Sequence, residues 1–254
     1  MDPLAQFRLD GKVVLLTGAS SGLGKRMAHV LAGAGAQVAV AARRVERLEA
    51  LAAEVGDAVV PFACDVSNDD HLARLLAETT ERLGPVDVLV NNAGIGNPVA
   101  AEDEPTEQFR EIVGVNLNAV FVLSQLVGRQ MIERGTGVMV NVASVLGLVA
   151  SGQIPQASYV AAKHGVVGLT KELAVQWARR GVRVNAIAPG WFPSEMTTGL
   201  LDTEQGMQWV RKRTPLGRAG HEHELDGAVL YLASDASSYM TGQVLYIDGG
   251  WTVV

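Results

Sequence analysis

Cysteine is nearly absent from this sequence, whose 254 residues include only Cys64. A single cysteine excludes an internal disulfide and favours a reducing compartment such as the cytoplasm. No pattern that would activate a thiol surrounds Cys64 in the sequence. We therefore expect it to be a small buried apolar residue rather than a nucleophile.

The sequence also lacks an excess of positive charge. Its 21 basic and 27 acidic residues give a formal charge of −6, and no run of Lys and Arg exceeds three residues. This pattern argues against a surface for nucleic acids or anionic membranes. The N-terminal segment MDPLAQFRLDGK lacks the apolar region of a signal peptide, and no stretch approaches the roughly 18 apolar residues of a membrane helix. We expect a cytoplasmic protein with neither nucleic acid nor membrane as a partner.

What the sequence does contain is a series of short apolar runs, separated in its first part by segments of helical character. Continuous rather than alternating apolar runs are typical of parallel strands that are covered on both faces. Alternation of such strands with helices indicates βαβ units. We predict an α/β protein with a doubly wound parallel sheet, in a single domain of residues 1–254. The predicted strands lie at 12–17, 37–42, 58–63, 86–92, 137–144, 182–190 and 243–248.

The first apolar run is followed by TGASSGLG at 17–24, which opens a helical segment. A glycine-rich turn at this place lets the backbone approach a pyrophosphate at the N-terminus of the helix. Gly18, Gly22 and Gly24 have the spacing G-x-x-x-G-x-G rather than the usual G-x-G-x-x-G. A turn of this composition can also join a strand to a helix without a ligand, but the strand–turn–helix context favours dinucleotide binding.

The second apolar run is followed by two arginines instead of an acid. About 20 residues after the glycine loop, an NAD site places a carboxylate on the adenosine ribose, whereas this chain has Arg43 and Arg44. A guanidinium at this place can bind the 2′-phosphate of NADP(H). The alternative is that both arginines lie in solvent at the sheet edge. We predict NADP(H) as the cofactor, with NAD(H) as the second choice.

Tyr159 and Lys163 lie four residues apart in the segment SYVAAKHG. On a helix, this spacing puts both side chains on one face. The pair alone is weak evidence of a catalytic site, because it also arises by chance and an exposed turn would leave the lysine in solvent.

Several motifs that occur in one order along the chain together resemble the short-chain dehydrogenase/reductase family. The likeness extends over residues 8–251. It implies a Rossmann-type fold with a seven-stranded parallel sheet, usually in a homotetramer. The motifs are TGASSGLG, NNAG at 91–94, Asn116, Ser144, Tyr159-x-x-x-Lys163 and Pro189-Gly190.

The resemblance implies four catalytic residues. Tyr159 would be the general acid/base that exchanges a proton with the substrate oxygen, and Lys163 would lower the pKa of Tyr159 and bind the nicotinamide ribose. Ser144 would hold and polarise the carbonyl oxygen of the substrate. Asn116 would position a water in a proton relay behind Lys163.

The resemblance also implies a set of cofactor-binding residues. Asp65 resembles the acid that meets the adenine amino group, and Val66 would pack beside the adenine ring. The NNAG segment resembles the one that closes over the adenosine ribose, although it could equally be structural. The predicted set is Gly18, Ser20, Ser21, Gly22, Leu23, Gly24, Arg43, Arg44, Asp65, Val66, Asn92, Ala93, Gly94, Tyr159, Lys163, Pro189, Gly190, Phe192 and Ser194.

The predicted substrate site rests on a departure from the family pattern. Tyr159 follows Ser144 by 15 residues, which is longer than the family usually has. We therefore expect Gln153 and Ile154 to remodel the substrate rim, and we predict that Ser144, Tyr159 and Trp191 complete the substrate site.

Residues 191–214 form a predicted lid over this site. Its apolar side chains would either line an apolar pocket or close the core. Ser194 stands where the family commonly has threonine, and its hydroxyl should keep the contact with the nicotinamide carboxamide.

These residues predict an NADP(H)-dependent oxidoreductase that interconverts a ketone and a secondary alcohol, of the carbonyl reductase or 3-oxoacyl reductase type. The alternatives are an NAD(H)-dependent sugar, polyol or alcohol dehydrogenase and, more remotely, a non-catalytic dinucleotide-binding scaffold. The basic residues 211–213 would either bind the carrier phosphate of an acyl thioester or lie in solvent. His221 and His223 have metal-like spacing without further ligands, so we expect no metal site.

Overall fold

A computed structural model describes residues 3–254, so Met1 and Asp2 of the predicted domain lie outside the described residues. Seven parallel strands form one sheet in the order β3-β2-β1-β4-β5-β6-β7. The strands are β1 Val13–Thr17, β2 Gln37–Ala42, β3 Val59–Ala63, β4 Val88–Asn91, β5 Gly137–Val142, β6 Val182–Pro189 and β7 Val244–Ile247.

Helices connect consecutive strands, as the alternating sequence pattern predicts. Within residues 3–254 the α-helices are α1 Gly22–Gly33, α2 Val45–Val55, α3 Asp69–Leu83, α4 Thr106–Val113, α5 Ala119–Arg134, α6 Ala157–Trp177, α7 Thr198–Leu201, α8 Glu204–Arg213 and α9 Asp226–Ala233.

Helices cover both faces of the sheet, because successive side chains of a strand point to opposite faces. Val14 and Leu16 of β1 belong to a core cluster with residues of α1, α2 and α9. Leu15, between them, belongs to a second cluster with residues of α3, α5 and α6. All three side chains are fully buried. The predicted doubly wound, seven-stranded parallel sheet is confirmed.

The helices α4 and α5 are joined by one π-helical turn, Gly114–Asn118, into a continuous run, Thr106–Arg134. By length and composition alone, this run of 29 residues is long and apolar enough to cross a membrane. The sequence-based statement that no stretch approaches such a span is therefore wrong. A core helix passes the same test, and here α5 buries Leu123, Val127 and Met131 in the cluster beneath the sheet.

The strand order fixes the place of the functional site. The chain adds β2 and β3 on one side of β1 and then returns to add β4 on the other side. In a doubly wound sheet, a crevice opens at such a switch point, outside the carboxyl ends of the strands. The glycine loop follows β1, the NNAG segment begins at the end of β4, and Ser144 closely follows β5.

Candidate active site

A cleft of about 590 Å³ lies at the carboxyl ends of the strands. It extends from the two arginines after β2, past the glycine loop, to Ser144 and Tyr159. Every predicted cofactor-binding residue lines this cleft, and so do three of the four predicted catalytic residues, Asn116 being the exception. The fold therefore brings together motifs that are spread over most of the chain.

The glycine loop leaves no room for side chains at two of its glycines. Gly18 has a φ of +70°, and a Cβ there would lie 2.7 Å from the Ala93 Cα. A Cβ on Gly24 would overlap the carbonyl oxygen of Gly18. Only glycine adopts this tight turn without strain, and the turn brings the start of α1 to the cleft.

The NNAG segment holds the glycine loop in place. The Asn92 side chain donates hydrogen bonds to the carbonyl oxygens of Thr17 and Gly18, at 2.9 and 3.1 Å. In return, the Thr17 hydroxyl oxygen accepts hydrogen bonds from the backbone N–H groups of Asn92 and Ala93, both at 3.1 Å. The segment thus has a structural role in addition to lining the cleft.

Asp65 and the two arginines lie at the adenosine end of the cleft. The Asp65 carboxylate accepts hydrogen bonds from the hydroxyl and the backbone N–H of Ser67, and these bonds lower the pKa of Asp65 from its usual value. The ionised carboxylate suits an amino group as a donor. Arg43 is exposed, and within residues 3–254 it makes no hydrogen bond or salt bridge. Arg44 turns back to the hydroxyls of the glycine loop and to Glu195.

Tyr159 and Lys163 lie on one face of α6, as their spacing predicts. Both are buried, with 9% and 3% of their surface exposed. The Lys163 Nζ lies 5.6 Å from the centroid of the Tyr159 ring and donates a hydrogen bond to the carbonyl oxygen of Val142 at 2.7 Å. Burial lowers the pKa of Lys163 to about 8.

The pKa of Tyr159 differs from the expectation. Burial raises it, and a hydrogen bond with the Ser144 side chain offsets only part of the rise. The predicted lowering by Lys163 is wrong for this structure, because desolvation of the phenolate dominates and the ammonium bonds to the Val142 carbonyl instead. Tyr159 is therefore protonated at neutral pH, and its hydroxyl lies beside Ser144.

Asn116 lies in the π-helical turn, completely buried, just behind the cleft. Its side chain accepts a hydrogen bond from the backbone N–H of Ile95 at 2.8 Å and donates one to the Ile95 carbonyl at 2.7 Å. A Cβ built on Gly94 would lie 3.0 Å from the Asn116 Oδ1 and 3.8 Å from the Lys163 Nζ. Asn116 thus fixes the strand-end segment beside Lys163; its role in a water relay stays a prediction.

Three predicted substrate residues do not line the cleft. Gln153 is exposed, Ile154 is half-buried, and neither belongs to the cleft lining. Trp191 packs edge to face against Trp209 and Trp251, with ring centroids 5.3 and 5.5 Å away. The lid helix α8, which carries Trp209, is thereby attached to the C-terminal segment. A substrate role for these three residues stays a prediction.

Sequence reasoning missed several residues that line the cleft, both in the lid and outside it. Met196, an apolar lid residue, lies near Gly96, where a Cβ would be 3.4 Å from the Met196 sulfur and 3.5 Å from Tyr159 Cδ2. For Glu195 and Thr197, the signal available in the sequence was their place shortly after Ser194. The missed residues include Ile95, Gly96, Glu111, Val115, Glu195 and Thr197.

The remaining reactive side chains do not form a second site. Cys64 also lines the cleft, but burial raises the pKa of its thiol to about 11, so it stays protonated. The rings of His221 and His223 stack at 5.7 Å beside Glu224, which accepts a hydrogen bond from the His221 backbone. Among residues 3–254, no group of three or more His, Cys, Asp and Glu residues could hold a metal ion.

Comparison with known families and proteins gives full-length matches. Residues 18–252 match the family profile described as enoyl-(acyl carrier protein) reductase. The chain is 39% identical to galactitol 2-dehydrogenase (L-tagatose-forming) of Cereibacter sphaeroides, over 100% of both chains. It is 40% identical to the 3-oxoacyl-[acyl-carrier-protein] reductase FabG of Thermotoga maritima, over 97% of this chain and 100% of the relative.

A solved structure shows the same architecture. A gluconate 5-dehydrogenase from Burkholderia cenocepacia, in complex with NADP and tartrate, superposes with a TM-score of 0.94 at 38% identity. The match covers 99% of both chains. The fold and nearly the whole length of the chain are therefore shared with this enzyme.

Proposed function

Because the chain belongs to the short-chain dehydrogenase/reductase family, we propose that it is an NADP(H)-dependent oxidoreductase that interconverts a ketone and a secondary alcohol. The observation that carries this proposal is the cleft itself. One end holds exposed Arg43, and the other end holds the buried Tyr159 together with Ser144. These are the two ends that such a reaction requires.

The residues present fit a phosphorylated dinucleotide. The glycine loop leaves its backbone bare at the start of α1, where N–H groups and the helix dipole favour a pyrophosphate. The ionised Asp65 suits the adenine amino group, and Arg43 suits a 2′-phosphate. Pro189, Gly190 and the predicted carboxamide contact Ser194 line the nicotinamide end. Bound there, the dinucleotide would supply or accept the hydride.

The catalytic side chains then handle one proton. In reduction, the protonated Tyr159 gives its proton to the substrate oxygen as negative charge develops on it. The Ser144 hydroxyl holds the same oxygen by a hydrogen bond and so stabilises that charge. Lys163, whose Nζ lies 5.6 Å from the centroid of the Tyr159 ring, would bind the nicotinamide ribose of the bound cofactor and would stabilise the phenolate once the proton has left.

Burial raises the pKa of Tyr159, so the phenol is protonated in the free protein. This is the form that donates a proton when a ketone is reduced, and alcohol oxidation uses the phenolate of the same residue.

We propose a small hydroxylated ketone as the substrate, such as a ketose or a keto sugar acid. Support comes from the relatives that act on galactitol and gluconate. Met196 lines the same cleft as Tyr159. A 3-oxoacyl thioester is the second candidate, because Arg211, Lys212 and Arg213 end the lid helix with exposed positive charge.

The experiment follows nicotinamide absorbance in purified protein with NADPH or NADH and a panel of L-tagatose, 5-ketogluconate and a 3-oxoacyl thioester. We expect NADPH to be oxidised faster than NADH, with the highest kcat/KM for one of the two hydroxylated ketones. The highest kcat/KM for the thioester would instead support the second candidate. Consumption of neither cofactor with any panel member would contradict the proposed function.

Assembly and location belong to this proposal as well. We propose a homotetramer, on the basis of the family resemblance and of exposed apolar side chains such as Phe121 on α5. A cytoplasmic location, expected from the single free cysteine, stays a prediction.

A further inference from the structure

Glu195, in the lid of residues 191–214, binds basic residues at the adenosine end of the cleft. Its carboxylate accepts two hydrogen bonds from the Arg44 guanidinium, at 2.8 and 3.0 Å. It also accepts hydrogen bonds from Arg47 and, at 3.1 Å, from the Ser21 hydroxyl. One carboxylate of the lid therefore accepts four hydrogen bonds. They come from Arg47 on α2, Arg44 directly before α2, and Ser21 in the glycine loop.

These donors occupy the place where a 2′-phosphate would bind. The same Arg44 Nη2 that contacts Glu195 also donates to the Ser20 and Ser21 hydroxyls, at 3.0 and 3.1 Å. Arginine with serine hydroxyls is a donor set suited equally to a carboxylate and to a phosphate. Arg43 lines the same end of the cleft without an ion pair in residues 3–254. Arg44 is thus already engaged by an internal anion before any cofactor binds.

We propose that Glu195 competes with the 2′-phosphate of NADP(H) for Arg44 and thereby sets the affinity and selectivity for the cofactor. This inference rests on the proposed use of NADP(H). The phosphate must displace the Glu195 carboxylate from Arg44 or bind beside it against charge repulsion. NAD(H) has no phosphate at this position, so it leaves the contact intact. Glu195 therefore weakens NADP(H) binding selectively.

The competition is linked to the substrate end of the cleft through the lid backbone. A Cβ on Gly22 would contact the Ser194 Cβ at 3.3 Å, so the lid begins directly over the glycine loop. Met196, the next residue after Glu195, lines the same cleft as Tyr159.

The test measures the affinity of 2′,5′-ADP and of 5′-AMP, two fragments that differ only by the 2′-phosphate, by calorimetry on the full-length protein. In Glu195→Gln we expect 2′,5′-ADP to bind about two- to fivefold more tightly, which is the scale of one partly exposed ion pair. The affinity for 5′-AMP should not change. In an Arg44→Ala background, the gain in 2′,5′-ADP affinity from Glu195→Gln should be smaller.

The matched control is Glu224→Gln. Glu224 is also a surface carboxylate held by two arginine hydrogen bonds, but its partner is Arg218, and neither lines the cleft. This variant should bind both ligands like the wild type. An equal gain for both ligands in Glu195→Gln, no gain, or the same gain in Glu224→Gln would overturn the role of Glu195. A wild type that binds 2′,5′-ADP no better than 5′-AMP would overturn the NADP(H) assignment itself.

Discussion

Two buried ionisable side chains on one turn of α6 define the chemistry of the cleft. Burial disfavours the charged form of each, so the pKa of Tyr159 is raised and that of Lys163 is lowered to about 8. Water exclusion around both groups strengthens their later interaction with cofactor and substrate. Burying the Lys163 ammonium therefore lowers the stability of the folded protein.

The cost of burying Lys163 predicts a pH dependence of stability. An unfolded lysine has a pKa near 10.4, whereas that of the folded Lys163 is about 8. At pH values between these two, the unfolded state binds more protons than the folded state, so the free energy of unfolding rises with pH over this range. The full destabilisation that comes from burying Lys163 is present below pH 8. The difference between the two pKa values of Lys163 corresponds to a destabilisation on the order of 3 kcal/mol.

The measurement compares the free energy of unfolding of wild type and Lys163→Met from pH 7 to pH 10 in urea. Other titrating groups cancel in this comparison, because both proteins share them. We expect the wild type to gain stability relative to the variant as pH rises. A difference that stays constant over this range would show that the pKa of Lys163 is not lowered.

At the scale of elements, the loop between β1 and α1 depends on close backbone packing. Gly18 and Gly24 are tight against the NNAG segment and against each other. The Asn92 amide bridges the carbonyl oxygens of the same loop. The phosphate-binding loop is therefore held from behind by the segment after β4, which explains why both sequence motifs occur together.

This packing predicts that Gly18→Ala destabilises the protein more than its backbone conformation alone requires. The positive φ costs about 1 kcal/mol for a non-glycine residue, and the overlap with Ala93 adds to it. Gly11→Ala is the matched control, since Gly11 has a φ of +73° with no atom within 4 Å of its would-be Cβ. Thermal unfolding should show a clearly larger loss in Gly18→Ala. Equal losses of thermal stability in the two variants would show that Ala93 moves away from the new Cβ without an energetic cost.

The elements were largely predictable from the sequence, because they depend on local patterns. The seven apolar runs coincide with the seven strands, and the spacing of Tyr159 and Lys163 correctly put them on one helix face. The contact of Glu195 with Arg44 and the packing of Trp191 against Trp209 and Trp251 were not predictable. They join segments far apart in the chain, so no local spacing encodes them. Likewise, the π-helical turn at Asn116 depends on its fit against Ile95.

At the scale of the whole molecule, the described chain leaves apolar side chains exposed, and its sheet ends in two edge strands, β3 and β7. β7 is an edge strand whose residues are all half-buried. Large apolar side chains such as Phe109, Phe121 and Val175 are exposed. Edge strands and contiguous apolar surface are common sites of association between subunits.

We therefore predict a homotetramer in solution. Light scattering coupled to gel filtration should give four times the mass of the chain, and the mass should not fall on moderate dilution. Phe121→Glu, which puts a charge on the exposed face of α5, should lower the mass. A wild type that elutes with the mass of one chain would contradict the tetramer.

The measurement that tests the central claim most directly is the turnover of NADPH with the best ketone in Tyr159→Phe, beside calorimetric binding of NADPH to the same protein. The variant keeps the ring and loses only the hydroxyl, so the fold and the cofactor cleft remain. Tyr246→Phe, which removes a hydroxyl from β7 outside the cleft, is the control and should keep its turnover.

We expect kcat to fall about 10²- to 10⁴-fold in Tyr159→Phe, the contribution of a positioned proton donor, with the Kd of NADPH unchanged. Turnover equal to that of the wild type, with NADPH still bound, would contradict the assignment of Tyr159 as the group that moves the proton.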